Sequence, residues 1–315
     1  MSARARGSGR TGRQIKLREL QILSLVVELG SMAKAAAQLS LTQPTVSDAV
    51  ANLETFLGVR LLDRSPRGVE PTIYAHTLLK RGRVAFDELE QAIKDIDYLK
   101  DPTTGEIRVG CPESLAAGPV PAIIDRFSRL HPRVTFRVTE ANTATMEFRE
   151  LKDRTVDLML GRISERVVDE EVDVTTLFND QLFAVASANS PWVGRRKIAL
   201  SDLLDAPWIL APSNNVVRHL FIEAFKAQGL EAPHVTVVSN SMHVRMHLLA
   251  TGRFITVLAG SLLHYNAERW SIKRIPVDFG TILPVAVATL KNRSLSPVVE
   301  QFIKCFREFA LPQFK

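Results

Sequence analysis

Gln43, Thr45 and Ser47 are the residues of this 315-residue chain whose types and spacing best suit a chemical task. They follow Thr42 in a stretch that reads as the start of a helix, with Pro44 in its first turn. Amide and hydroxyl side chains there can reach base edges or phosphate oxygens. Glutamine pairs well with adenine, while serine and threonine are permissive. A helix start also offers phosphate its unpaired amides and the positive end of its dipole. Behind this segment Arg60, Arg64 and Arg67 alternate with Gly58, Pro66, Gly68 and Pro71. That composition reads as a small β-wing whose guanidinium groups hold the phosphates flanking a groove. Such contacts position a protein on a duplex and make binding salt-dependent without choosing a sequence. The plain alternatives are a structural three-helix cluster and solvated surface arginines.

Other candidates are weaker. His243 and His247 stand four apart on an expected helix and would share a face. Val244 and Arg245 follow His243, so there is no His-Glu-x-x-His core, and no third zinc ligand suggests itself. Cys111 sits at a strand end, where it would either sense oxidants or simply pack. The sequence contains no Gly-x-Gly-x-x-Gly, P-loop or Gly-x-Ser-x-Gly motif. The reading is therefore of a protein that is not an enzyme, with no metal and no cofactor.

The elements that would carry these residues follow from periodicity. Apolar residues recur at helical spacing from Leu17 to Leu29, and Gly30 stands past the last turn. Ser31 can cap Met32–Leu39, and Thr42 a third helix that runs to about Leu57 and ends at Gly58. Proline is tolerated in its first turn because those amides are unpaired anyway. Ala33, Ala36, Ala37, Leu39, Val46, Val50, Leu53 and Leu57 are the expected packing face. A short helix, a tight turn and a second helix offering its N-terminal end make a helix-turn-helix, the geometry that enters a DNA major groove. A long helix follows from about Thr72 to Lys100. Its apolar positions Ala75, Leu79, Gly82, Phe86, Leu89, Ile93 and Ile96 alternate in steps of four and three, a seam for a partner helix. Packing against the chain's own body is the alternative.

Charge supports the division. Through Phe86 thirteen Lys and Arg residues face six Asp and Glu, whereas the whole chain carries +6, so the remainder is close to neutral. A basic head on a neutral body suits a polyanionic partner. Residues 1–16, rich in Arg, Gly and Ser, are expected to form a mobile basic arm. No apolar run approaches the ~18 residues of a membrane span, no secretory signal is present, and two cysteines are too few for a disulfide framework. A cytoplasmic location is the expectation.

From Glu106 the rhythm becomes strand–helix–strand. Strands are expected at Ile107–Gly110, Val134–Val138, Val156–Leu160 and Leu182–Ser187, with helices at Pro119–His131 and Thr145–Arg154. The pattern restarts near Pro207, with strands at Trp208–Ala211, Val235–Val238 and Phe254–Leu258 and helices at Arg218–Gln228 and Met242–Ala250. Thr281–Leu290 and a helix from about Pro297 to Phe309 close the chain. Two α/β lobes in series fit an open sheet pair with a cleft between them.

Gly30-Ser31, Ala35-Ala36-Ala37-Gln38-Leu39, Thr42-Gln43-Pro44-Thr45-Val46-Ser47, Leu53-Glu54, Leu57-Gly58 and Leu61-Leu62-Asp63-Arg64 together resemble the N-terminal domain of LysR-type transcriptional regulators. The likeness covers nearly the whole chain. Glu150-Leu151…Val156-Asp157-Leu158 is similar to that family's crossover between its second and third effector-domain strands. Leu249–Gly252 followed by Phe254–Leu258 is similar to its late helix-to-strand step. The chain departs from the family pattern at Leu62, often Phe, at Ala75-His76, commonly Ala-Gly, and at Arg253-Phe254-Ile255, which lacks a second glycine. The pattern around Leu61 and Thr72-Ile73-Tyr74 also resembles a subgroup that includes regulators of sugar-binding-protein genes.

The resemblance implies a winged helix-turn-helix over residues 17–74, a dimerising linker helix over 75–100 and a hinge at 101–105. It implies an effector domain over 106–315 of periplasmic-binding-protein type, made of two Rossmann-like α/β lobes. Lobe I would span about 106–186 and 281–315, and lobe II about 187–280. DNA contacts would come from Ser31, Thr42, Gln43, Pro44, Thr45, Ser47, Arg60, Arg64 and Arg67. The dimer seam would use Leu79, Phe86, Leu89, Ile93 and Ile96. Effector contacts would come from the turns facing the crevice, at Ser114, Asn142, Thr143, Thr145, Ser213, Asn214, Arg218 and Ser241. Their hydroxyls, amides and helix-start amides suit a carboxylate, phosphate or polyol, although helix capping explains the same residue types. The implied partners are double-stranded operator DNA, a small polar or anionic effector, a second copy in a dimer or dimer-of-dimers tetramer, and RNA polymerase. Membranes are not among them, and the location would be the cytoplasm, in association with the nucleoid. The competing readings are a solute-binding or enzymatic α/β protein with a basic appendage, and a nucleoid protein without a ligand.

Overall fold

The computed structural model describes residues 15–65, 68–141, 143, 147–163 and 169–310. Residues 1–14 of the expected arm, together with Arg67, Asn142 and Thr145, lie outside the described residues. The chain divides into two compact units, the first ending at Glu90 and the second beginning at Gln91. Among the described residues no single helix is long and apolar enough to cross a membrane.

The first unit holds α1 (Leu17–Leu29), α2 (Met32–Gln38), α3 (Gln43–Leu57), the hairpin β1 (Leu62–Ser65) and β2 (Gly68–Pro71), and the beginning of α4 (Ile73–Lys100). Leu23, Val26, Ala35, Val46, Val50, Leu53, Leu61 and Ala75 are fully buried in one core. Gly30 and Gly58 end α1 and α3 in the left-handed conformation, at φ 61° and 69°. The packing face of α2 and the end of α3 differ from expectation. Met32, Ala35 and Ala36 are buried, while Ala33 and Ala37 are exposed and Leu57 is 36% exposed. A two-turn helix has room for one inward stripe, at i, i+3 and i+4, and Met32 sets its register. The wing is tied to the helices by backbone groups. Glu54 Oε1 accepts the amides of Leu61 (2.7 Å) and Leu62 (3.2 Å), and the Val69 amide donates to the Gly30 carbonyl at 3.0 Å.

Helix α4 starts where the Thr72 hydroxyl accepts the Ala75 amide at 3.3 Å. The first half of its seam serves its own unit. Ala75 is buried, a side chain at Gly82 would meet Leu20, and Leu79 and Phe86 are half-buried against the helix-turn-helix core. Farther along, Leu89, Ile93 and Ile96 are 46%, 59% and 52% exposed.

The second unit contains β3 (Thr104–Cys111), α5 (Glu113–Ala116), α6 (Pro119–Leu130), β4 (Arg133–Glu140), α7 (Arg149–Lys152), β5 (Leu158–Gly161) and β6 (Val172–Ser187). A 3₁₀ turn at Leu200–Leu203, β7 (Trp208–Leu210), α8 (Val216–Ala227), β8 (Val235–Val238), α9 (Met242–Ala250) and β9 (Ile255–Ala259) follow. Then come α10 (Gly260–Asn266), β10 (Ile272–Arg274), β11 (Ile282–Leu290) and α11 (Pro297–Ala310). The strands run in the order β4-β3-β5-β11-β6-β9-β7-β8, with β10 beside β6.

Both faces of each lobe are covered, which is why the strands read as continuous apolar runs. In β5, Leu158 and Leu160 enter the core under α6 and α11, and Met159 points to the opposite one. In β9, Ile255, Val257 and Ala259 join Trp208, Phe221 and Phe225, whereas Leu258 faces Met242 and Leu249. The lobes exchange within β6 rather than after 186. Phe178 belongs to the first lobe's core and Leu182 to the second's. The reason is the length of β6, whose first half pairs with β11 and whose second half pairs with β9. Among the described residues of the expected helix Thr145–Arg154, the helix covers Arg149–Lys152 and is entered through Phe148 at φ 50°.

Candidate functional site

On the first unit, the start of α3 presents Gln43, Pro44 and Thr45 exposed and Ser47 half-buried. Thr42 is the N-cap. Its Oγ1 accepts the Thr45 amide at 3.3 Å, and the two hydroxyls hydrogen-bond to each other at 2.8 Å. Thr42 and Thr45 therefore stiffen the helix start, and Gln43 is the long polar side chain displayed there. Ser31 caps α2, accepting the Lys34 amide at 3.3 Å, so its hydroxyl too has a structural use. Arg60, just before the wing's first strand, and Arg64, within it, are both exposed. The Thr72 hydroxyl donates to the Arg60 carbonyl at 2.8 Å and fixes the backbone from which that arginine projects.

The second unit encloses a cavity of about 400 Å³ between its lobes, within the range of small-molecule sites. Glu113, Ser114, Thr143 and Arg162 line it from the first lobe, and Asn214, Asn215, Met242 and Arg245 from the second. Three of the sequence-expected effector residues thus meet there: Ser114, Thr143 and Asn214. Ser213 is exposed and outside the wall, as is the half-buried Arg218, whose guanidinium pKa burial lowers. Ser241 is also outside the wall. Its Oγ lies 3.5 Å from the Val244 amide and caps α9, the plain role of a serine before a helix.

Arg162 and Arg245 are the functional candidates that sequence reasoning missed. Both are buried, with side chains drawn from opposite lobes. Arg162 Nη1 donates to Ser114 Oγ at 2.8 Å, and Nη2 lies 3.7 Å from Asp180. Asp180 is itself engaged by Ser261, through the amide at 3.1 Å and the hydroxyl at 2.5 Å. Burial pushes the Arg162 pKa below its ordinary value against the charge of Asp180. Burial likewise brings Arg245 down to about 10, with Glu113 opposing. Signals for both were present in the sequence. Arg162 directly follows Gly161, at the carboxyl end of a buried strand, where open α/β sheets bind ligands. Arg245 is the cation in the i, i+3, i+7 stripe Met242, Arg245, Leu249 that α9 buries.

The lobes are joined beside the cavity by two further contacts. Glu113 Oε2 accepts the Met242 amide at 3.0 Å, and Asn266 Nδ2 donates to the Ala117 carbonyl at 2.7 Å. His243 and His247 are exposed on α9, with His247 Nδ1 2.8 Å from the His243 carbonyl. Cys111 is buried, and burial, followed by the charge of Glu140, pushes its thiol up to about 11, which disfavours the reactive thiolate.

Gly161 holds the cavity wall in register. A side chain there would approach Thr143 Cγ2 to 2.6 Å. Gly161→Ala is expected to lower stability by about 1–3 kcal/mol, the cost of overpacking a filled site. Urea denaturation checks this, and an unchanged midpoint would show that Thr143 moves aside freely.

Residues 100–311 match the family model for the LysR substrate binding domain, and residues 17–76 match that for the bacterial regulatory helix-turn-helix protein, lysR family. The HTH-type transcriptional regulator GbpR of Azospirillum brasilense is 27% identical over 286 residues, covering 90% of this chain and 83% of its own. The transcriptional dual regulator GltC of Bacillus subtilis is 27% identical over 297 residues, covering 94% of this chain and 97% of its own. A full-length OxyR variant from Pseudomonas aeruginosa shares the fold with a TM-score of 0.64 at 21% identity, covering 93% of each chain.

Proposed function

Because the chain belongs to the LysR family of DNA-binding transcriptional regulators, with a DNA-reading head and a small-molecule-binding body, we propose the following division of labour among its residues. Gln43 and Ser47 at the start of α3 read base edges, and Pro44 packs beside them. Thr42, Thr45 and Ser31 fix the helix starts whose amides face phosphate. Arg60 and Arg64, with Arg67 between the wing strands, hold the flanking backbone. The observation that carries this reading is the display of Gln43 on a helix start whose two threonines are bonded to each other.

A second copy pairs through Leu89, Ile93 and Ile96 of α4, with Leu79 and Phe86 at the margin of the seam. Two recognition helices then address half-sites roughly 34–36 Å apart, which favours an interrupted inverted repeat. Two such dimers assemble into a tetramer. The effector occupies the interlobe cavity against Ser114, Thr143 and Asn214, with Asn142 and Thr145 in the adjoining segment. It acts by preferring one of two arrangements of the lobes or dimers, since only differential affinity can shift DNA geometry. The protein works in the cytoplasm on nucleoid DNA, where RNA polymerase is the partner its position relative to a promoter would affect.

The test is fluorescence anisotropy on the DNA upstream of the protein's own gene, with a scrambled duplex as control. Gln43→Ala is expected to weaken specific binding by about 10- to 100-fold, the value of one good base contact, and nonspecific binding far less. Equal losses on both duplexes would remove Gln43 from base reading.

A further inference from the structure

The two arginines of the interlobe cavity carry hydrogen-bond donors that the protein does not use. Arg162 spends Nη1 on Ser114, but its Nε has no acceptor among the described residues, and its Nη2 stops 3.7 Å from Asp180, beyond hydrogen-bond range. Arg245 reaches only the Met242 sulfur, at 3.9 Å, a weak acceptor, and its Nε and Nη2 likewise have none among the described residues. Both residues are nine-tenths or more buried, at 6% relative exposure each. Buried polar groups are normally paired, and a buried guanidinium left without acceptors is costly.

The vacant pair is the same in both residues. Nε and Nη2 form the edge of the guanidinium plane whose parallel N–H groups match the two oxygens of a carboxylate or of a phosphate. One such edge belongs to each lobe, and both line one cavity. The neighbouring carboxylates do not fill the role. Asp180 holds Ser261, and Glu113 Oε2 holds the Met242 amide. Glu140 and Glu150, which also line the cavity, are exposed and half-buried respectively. As acceptors they suit a ligand's hydroxyl or ammonium groups and disfavour further negative charge.

We propose that the ligand of this cavity is a small organic acid with two anionic oxygen groups, one seated on the Nε–Nη2 edge of Arg162 and the other on that of Arg245, so that it bridges the two lobes. The proposal rests on the reading of the cavity as the effector site and names the chemical class of that effector.

The full-length protein is titrated at constant ionic strength with succinate, glutarate, 3-phosphoglycerate, acetate and galactose, and the thermal unfolding midpoint is followed. At least one of the three probes with two anionic groups is expected to give a saturable rise, and acetate and galactose none. A response to the phosphate-bearing probe alone assigns one edge to phosphate, and a response to succinate or glutarate assigns both to carboxylates. Arg162→Gln and Arg245→Gln should each weaken the apparent affinity at least tenfold, with Lys restoring less than half of that loss in free energy because it lacks the planar fork. Arg245→Met without ligand should melt no lower than the parent protein, since an unpaired buried charge has been removed. A much lower melting point would mean that the guanidinium is already satisfied and would overturn the proposal. So would dianion binding that is indifferent to both Gln substitutions, or no saturable shift with any anion. A galactose response that is lost in Asn214→Trp overturns the anion assignment alone and leaves the cavity as the effector site. A dianion response that survives both Gln substitutions and Asn214→Trp overturns the cavity reading as well.

Discussion

Asp157→Ala is expected to lower the unfolding free energy by about 3–5 kcal/mol, the cost of removing one partner from a buried ion cluster. Asp157 is 3% exposed and stands just before β5, where three cations converge on it. Its Oδ1 accepts from Arg108 Nη2 at 2.7 Å, Arg108 Nε at 3.2 Å and Arg293 Nη2 at 3.0 Å, and Oδ2 accepts the Arg108 amide at 2.9 Å. Lys94 Nζ, from the C-terminal part of α4, lies 4.0 Å away. The Arg293 side chain is fully buried, and its other amino group is held by the Val156 carbonyl at 2.9 Å. Without Asp157 the protein keeps the buried Arg293 and loses an anion paired with it at 3.0 Å. Asp157→Asn retains the shape and some hydrogen bonds, so its loss should be smaller.

The same cluster sets a pH dependence. Burial by itself would raise the Asp157 pKa, but hydrogen bonds from Arg108 and the charges of Lys94 and Arg108 outweigh it and hold the carboxyl below its ordinary value of 3.8. A carboxyl depressed in the folded state stabilises fully above its unfolded pKa, and that contribution is lost as pH falls through the folded value. Urea denaturation at neutral pH and at successive pH values below 5 checks both points. The gap between parent and Asp157→Asn should narrow as the pH drops below the ordinary carboxylate range. A gap constant with pH would show that Asp157 titrates alike in the folded and unfolded protein, so that the cluster does not depress its pKa.

Ile93→Asp is expected to convert the proposed dimer to a monomer in sedimentation velocity and to weaken operator binding by about 10²–10³-fold, within the range lost when two linked sites become one. Leu89, Ile93 and Ile96 are 46%, 59% and 52% exposed on α4, and their spacing of four and three is that of a two-helix seam. When the substituted helix faces a copy of itself, the change brings two carboxylates into an apolar contact. Helix content by circular dichroism should remain close to the parent's, because Ile93 is not part of any core of its own chain. Phe86 is a poorer test position. It is half-buried against the helix-turn-helix core, so a charge there would damage the DNA-binding unit directly. An unchanged sedimentation coefficient for Ile93→Asp would place the interface elsewhere.

The helix-turn-helix was legible because its determinants are local. Thr42 and Ser31 cap the helices that follow them, Gly30 and Gly58 end the helices that precede them, and each acts within one turn. The strands of the second unit were legible for a related reason. A strand covered on both faces reads as a nearly continuous apolar run, as Leu158–Leu160 does and as Ile255–Ala259 does but for Thr256, whose buried hydroxyl donates to the Ile209 carbonyl at 2.6 Å. Their boundaries were less so. The first half of β6, with Asp173, Asp180 and alternating exposure, carries no continuous apolar run, and its pairing with β11 joins segments far apart in the chain.

What the sequence determined by itself was therefore the helix-turn-helix, the long helix, most of the strands and the display of Gln43 on a helix start, all of which depend on short-range spacing, together with the family likeness that its motifs carry. The helix Gly260–Asn266 and the strand Ile272–Arg274 were not read from it. The tertiary structure decided which half of the α4 seam turns toward its own core. It decided that Ser241 caps a helix while Ser114 meets Arg162. It also buried Arg162 and Arg245 in one cavity with matching vacant edges. Whether a cation is solvated, paired or left waiting for an anion depends on the atoms that pack around it, and those atoms come from distant parts of the chain.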